Sequence, residues 1–225
     1  MKPTIGIIDH YDSFTYNLVD WFASGGVAVK RVDFDDAAGM VMLEQGGYPI
    51  VLSPGPKTPQ DAGPTLELMG RHIGKRPFLG ICLGHQMIGQ MAGMTLRRSK
   101  APFHGSTDLF EVKKRCLLLE NLPGEFQGAC YHSLVLDKQA IPQGVDIILE
   151  SSRGEVAGIQ WHVPNGVTAY GIQFHPESFM SIGLEILRDN WLSMALSNNT
   201  RPQESRGDAQ LDDAIDQLGV LNASR

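Results

Sequence analysis

Short apolar runs recur along the chain between stretches whose apolar residues fall three and four apart, the alternation expected of strands and covering helices. Ile5-Gly6-Ile7-Ile8 is the first run, and the segment from Ser13 to about Ser24 brings Leu18, Val19 and Phe22 onto one helical face. Further strands are predicted at Val27–Val32, at 49–52 and at 78–82. That βα order predicts a mostly parallel central sheet with flanking helices, in which ligands collect at the carboxyl ends of the strands. From about 94 to 174 the pattern turns β-rich, as in Val156–Trp161 and Val167–Phe174, which the turn signal Pro164-Asn165-Gly166 separates. A closing helix is predicted over about 181–196. The expected organisation is one α/β domain over residues 1–196, including a smaller β-rich portion, and a polar tail over 197–225. Within that tail Leu211, Ile215, Leu218 and Leu221 recur at helical spacing, so the expectation is a mobile segment or a short docking helix.

Composition narrows the classes. A chain of 225 residues with 42% apolar content can bury a core of its own. Its net charge of −6 argues against a nucleic-acid partner, which would call for a basic surface. Cys82, Cys116 and Cys130 form neither a CxxC metal pair nor an even disulfide framework, which implies reducing surroundings. The start Met1-Lys2-Pro3-Thr4-Ile5 runs directly into a strand, and no stretch of about 18 apolar residues is available to cross a bilayer. The expectation is a cytoplasmic protein with no membrane span.

Against this background the run Pro77-Phe78-Leu79-Gly80-Ile81-Cys82-Leu83-Gly84-His85-Gln86 stands out, because a strand stops at a cysteine between glycines and a helix begins. The free N–H groups of a helix start favour thiolate over thiol, so Cys82 is a candidate nucleophile with its thiol exposed by the bend. A nucleophile needs a base and an orienting acid. Ala169-Tyr170-Gly171-Ile172-Gln173-Phe174-His175-Pro176-Glu177-Ser178 reads as a second strand ending at His175, with Glu177 two residues on. Along an extended end that spacing puts both side chains on one side, letting the carboxylate reach one ring nitrogen while the other faces the thiol.

These motifs, GICLGHQ and GIQFHPES, together with HYDSFTYNLVD near the start and SPGPKTPQDAG after the third strand, resemble those of the class I glutamine amidotransferases. Within that family YDSFTYNLV, SPGP and YHSLV at 131–135 are most similar to the small glutaminase subunit of anthranilate synthase and of aminodeoxychorismate synthase. The resemblance spans roughly residues 4–195. It implies a flavodoxin-like fold and hydrolysis of the glutamine side-chain amide, with ammonia passed to a chorismate-binding synthase large subunit. It also implies no cofactor or metal in this chain, although the synthase partner of the family uses magnesium. Cys82, His175 and Glu177 match the family triad, and Gln86, Ser133 and Leu134 match its substrate-binding positions, Gln86 lying one helical turn past Cys82. Leu83, at the helix start, and Gly55, in the Ser53-Pro54-Gly55-Pro56 turn, are the candidate oxyanion donors, Gly55 being a substrate contact as well. His132 lacks an acid two residues away and reads as structural or partner-facing. Two departures bear on the pocket rim and the partner: Lys57 stands where the family commonly has glycine, and Ser106 where it has the lysine of HGK. The rival readings are a stand-alone cysteine hydrolase of γ-glutamyl peptides and a non-catalytic regulatory subunit of the same fold.

Overall fold

The computed structural model describes residues 2–100 and 105–197. Its first half alternates strand and helix: β1 Thr4–Asp9, α1 Thr15–Ser24, β2 Ala28–Asp33, α2 Ala37–Gly46, β3 Ile50–Leu52, α3 Gly63–His72, β4 Phe78–Ile81 and α4 Leu83–Met91. There follow β5 Leu96–Arg98, β6 Ser106–Val112, β7 Glu125–Cys130, β8 Leu134–Leu136, β9 Val145–Ser151, β10 Val156–Trp161, β11 Ala169–Ile172 and α5 Glu185–Ser197. Nine strands form one sheet in the order β2-β1-β3-β4-β11-β10-β9-β6-β7, and β5 pairs with β8 as a separate ribbon. Neighbours from β2 to β11 are parallel. From β11 to β7 they are antiparallel. The β-rich stretch read from the sequence thus supplies the antiparallel side of the same sheet, plus the ribbon.

A parallel sheet must be covered on both faces, and the apolar residues are distributed accordingly. On one face α1 and α5 bring Leu18, Phe22, Leu187 and Trp191 onto Ile5, Ile7, Val51, Leu79 and Ile81. On the other, Leu43 of α2, Leu66 and Met69 of α3, and Met87 and Ile88 of α4 cover Ile8, Ile50, Leu52 and Phe78. The approach of α4 is especially close. A Cβ on Gly80 would lie 2.2 Å from the Gly84 backbone, and one on Gly84 would lie 2.4 Å from the Leu52 carbonyl oxygen. Both positions therefore require glycine on steric grounds, whatever their φ.

Element ends differ from the sequence expectation where local hydrogen bonds intervene. Asp12 starts α1 late, because its Oδ1 accepts from the Phe14 N–H at 2.8 Å in a turn. β11 stops at Ile172 rather than Phe174, since the chain then leaves its neighbour to bridge Ala129 through His175. Consecutive turns, in which Ser178 N–H donates to His175 O and Ser181 N–H to Ser178 O, delay the last helix to Glu185. Residues 198–225 of the expected tail lie outside the described residues.

Candidate active site

Four neighbouring parallel strands end at one edge of the sheet, and each hands the chain to a residue of the site. Register pairs Ile8 with Leu52, Leu52 with Gly80, and Gly80 and Ile81 with Gly171 and Ile172. The turns that follow carry His10, Gly55, Cys82 and His175 respectively. Residues remote in sequence are brought together because β11 inserts beside β4.

Cys82 is the pivot between β4 and α4, with φ 52° and ψ −99°. A cysteine at positive φ costs on the order of 1–3 kcal/mol and is retained only where the surroundings enforce it. Here the enforcing contacts are the Cys82 N–H donating to Ile172 O at 2.9 Å and the Cys82 carbonyl accepting from Gln86 N–H at 3.1 Å. The bend does not leave the thiol open to bulk water, as the sequence suggested. Cys82 is only 6% exposed, because α4 and the 131–134 segment close over it. Its access is a pocket of about 110 Å³ lined by Gly55, Lys57, Leu83, Gln86, Ser133 and Leu134 among others. A larger recess of about 780 Å³ lies at the opposite sheet edge near Pro77 and Thr168, but its lining carries no cysteine, histidine or lysine.

His175 and Glu177 are both buried, and the His175 Nδ1–H donates to Glu177 Oε1 at 2.8 Å. They meet across a turn, closed by Ser178 N–H donating to His175 O at 3.2 Å, rather than along an extended strand end. The second ring nitrogen has no hydrogen bond of ordinary geometry, and its coupling is to Cys82. Burial opposes a charge on the ring, but the Cys82 sulfur and the Glu177 carboxylate outweigh it and raise the imidazole pKa well above 6.5. Phe14 and Tyr131 pack on the ring at centroid separations of 5.4 and 5.1 Å, which fixes its plane. The other buried histidines are tuned the opposite way. Burial lowers His10 to about 4, burial with repulsion from His175 lowers His132 to about 4, and burial lowers His85 to about 3. All three are neutral near pH 7, and an imidazole of such low basicity makes a poor general base.

Gly55 is confined for reasons of space, since a Cβ there would lie 2.5 Å from Leu83 Cδ2 and 2.8 Å from His10 Cβ. Leu83 opens α4, so its amide has no carbonyl partner within the helix. Gln86 donates through Nε2 to Leu134 O at 3.1 Å and to Gln173 Oε1 at 3.2 Å. Ser133 is held from below, its carbonyl accepting from Ser99 N–H at 2.8 Å. Behind that strand buried Glu155 gathers Arg97 Nη1 at 3.0 Å, Ser99 Oγ at 2.8 Å and Lys100 N–H at 2.9 Å. Burial opposes its charge, yet these donors keep its carboxyl below the ordinary range. Lys57 is exposed at the rim and avoids positive φ, so the lysine fits without a glycine-only backbone. Ser106 is exposed at the start of β6, paired with Cys130.

A sequence profile described as "Glutamine amidotransferase class-I" matches residues 6–194. Anthranilate synthase component 2 of Pseudomonas aeruginosa is 37% identical over 78% of this chain and 88% of its own length. Aminodeoxychorismate synthase component 2 of Klebsiella aerogenes is also 37% identical, covering 78% of this chain and 91% of that one. Aminodeoxychorismate/anthranilate synthase component 2 of Bacillus subtilis is 36% identical over 81% and 93%. The chain belongs to the class I glutamine amidotransferases. Its fold is shared with a Thermoplasma acidophilum protein whose crystal structure was described as that of a candidate GMP synthase component, with a TM-score of 0.73 and 23% identity over 88% of this chain and 96% of that one.

In this amidotransferase every residue expected at the site from the sequence lies at one sheet edge, either in the pocket wall or against the buried imidazole. Sequence reasoning passed over Phe14, Tyr131, Gln173 and Ser181. Phe14, Tyr131 and Gln173 stood inside the quoted motifs, which was the available signal; Ser181 carried none. Ser181 Oγ donates to His175 O at 2.6 Å and accepts from Ala129 N–H at 2.9 Å, clamping the histidine's backbone to β7. Among the described residues no helix is long and apolar enough to cross a membrane, and no cluster of three or more His, Cys, Asp or Glu could hold a metal.

Proposed function

We propose that this amidotransferase is the glutaminase component of a chorismate-aminating synthase, acting through a thioester on Cys82. The sulfur attacks the side-chain amide carbon of glutamine, forming a C–S bond and a tetrahedral oxyanion. The N–H groups of Leu83 and Gly55 receive that charge, each donor worth about 3 kcal/mol of barrier. The imidazolium of His175 gives its proton to the departing nitrogen, the C–N bond breaks and ammonia leaves. Neutral His175 then takes a proton from water, whose oxygen attacks the thioester, and glutamate departs as the thiolate is restored. Glu177 holds the ring in one tautomer and steadies its charge. Gln86 and the backbone of Ser133 and Leu134 receive the amino-acid end of the substrate. Neither metal nor organic cofactor enters this half-reaction; magnesium belongs to the synthase component.

The single observation that carries this reading is the buried His175–Glu177 pair at 2.8 Å, coupled to Cys82 on the neighbouring strand end. The names of the relatives support a partner component, and anthranilate or aminodeoxychorismate synthesis as the acceptor pathway. Phe179 and Ile182, 82% and 88% exposed, come shortly after the HPES segment in the chain and offer an apolar footing for such a partner. The test is glutamate release from glutamine, alone and with the synthase component and chorismate. Stimulation at least tenfold by the complete system is expected; equal rates in both arms would contradict the coupling.

A further inference from the structure

Gln173 is a buried polar residue beside the sulfur that the reaction above leaves unused. It is 1% exposed and follows the last residue of β11, and its Nε2 donates to Cys82 Sγ at 3.6 Å. The direction of the amide is fixed by its other contact. Oε1 accepts from Gln86 Nε2 at 3.2 Å, so the NH₂ end alone can meet the sulfur. The remaining hydrogen of Gln86 Nε2 goes to Leu134 O at 3.1 Å, which completes a line from the sulfur to the loop lining the pocket. An apolar residue would fill the same space between Ile172 and Phe174 without burying an amide that must be satisfied at both ends. The chain has both ends satisfied, one by the sulfur and one by the substrate wall.

We propose that Gln173 is a positioning residue for the glutaminase reaction, its amide N–H holding the Cys82 sulfur in its attacking orientation while its oxygen, through Gln86, ties that orientation to the 132–134 segment. Gln173 makes and breaks no covalent bond. Its N–H is neutral at every working pH, so it stabilises the sulfur anion without competing for the proton that His175 moves. The titratable groups about that sulfur are His175, Cys130 behind it, and Lys57, Tyr131 and His132 in the pocket wall. A neutral donor leaves the proton traffic at the sulfur to His175.

The proposal rests on the glutaminase reading, and its test separates the two. Gln173→Leu deletes the contact, and Gln173→Glu keeps the shape but sets a carboxylate against the sulfur, so one variant reads the contact even where the other folds poorly. Two rates are measured on the full chain: alkylation of Cys82 by iodoacetamide, which needs no glutamine site, and steady-state glutaminase with the synthase component present. Expected are about a tenfold slower alkylation and a fall in kcat of the same order or more, with KM for glutamine changed less than about threefold. Wild-type alkylation in both variants, or a change confined to KM, would overturn the proposal. Slowed alkylation in the variants of a wild-type chain that releases no glutamate would leave Gln173 standing and remove the glutaminase reading instead.

Discussion

At the scale of single residues, the site is built by opposing shifts on chemically similar groups. His175 is held charged by its two partners, whereas at His132 and His85 burial outweighs the groups that would favour the charge and both are held neutral. The sign of the pH dependence follows. A raised pKa keeps the proton on His175 as pH climbs past 6.5, so the alkaline loss of glutaminase rate should lie well above that value. Glu177→Gln removes both the hydrogen-bonded and the longer-range part of the carboxylate's contribution. It should shift the alkaline limb downward and lower kcat by roughly a hundredfold or more. A pH–rate profile of the two proteins checks this, and an unmoved limb would deny Glu177 its role. His132→Asn, by contrast, should leave the position of that limb unchanged.

At the scale of elements, what matters is that β4 and β11 are adjacent and parallel, and that α4 can lie almost in contact with the strands beneath it. The glycines at 80 and 84 permit that approach. Gly80→Ala should therefore destabilise the fold by about 3 kcal/mol or more, read as a lower urea midpoint at unchanged slope. An unaltered midpoint would mean that the sheet accommodates the methyl group. The strands of the βα half, α1 and the start of α4 were legible as short apolar runs followed by a helical period or a glycine-flanked helix start, whereas α2 and α3 were expected only as unplaced covering helices. Less legible was the segment after Ile172, where the sequence reads as continued strand to Phe174. There the chain exchanges one sheet neighbour for another, a tertiary choice that local pattern does not encode. For the same reason the His-Pro-Glu spacing was read correctly as a contact but for the wrong conformation, an extended end in place of a turn.

At the scale of the whole molecule, the motifs pointed to the contacts but not to their burial. Cys82 was expected to be exposed, and only the packing of the 131–134 segment against α4 shows why it is nearly covered. A thiol so enclosed, in a chain that leaves Phe179 and Ile182 exposed shortly after Glu177, suits a protein that works against a second surface. Phe179→Asp with Ile182→Asp should weaken binding of the synthase component by about 2 kcal/mol, some thirtyfold, measured by titration calorimetry. Unchanged affinity would move the interface elsewhere. The most direct test of the thiolate mechanism is glutamate release by Cys82→Ala in the reconstituted complex with chorismate and glutamine. A fall of at least about a thousandfold against the unmodified chain, with the complex still formed, is the predicted result. Release of glutamate at the rate of the unmodified chain would contradict it.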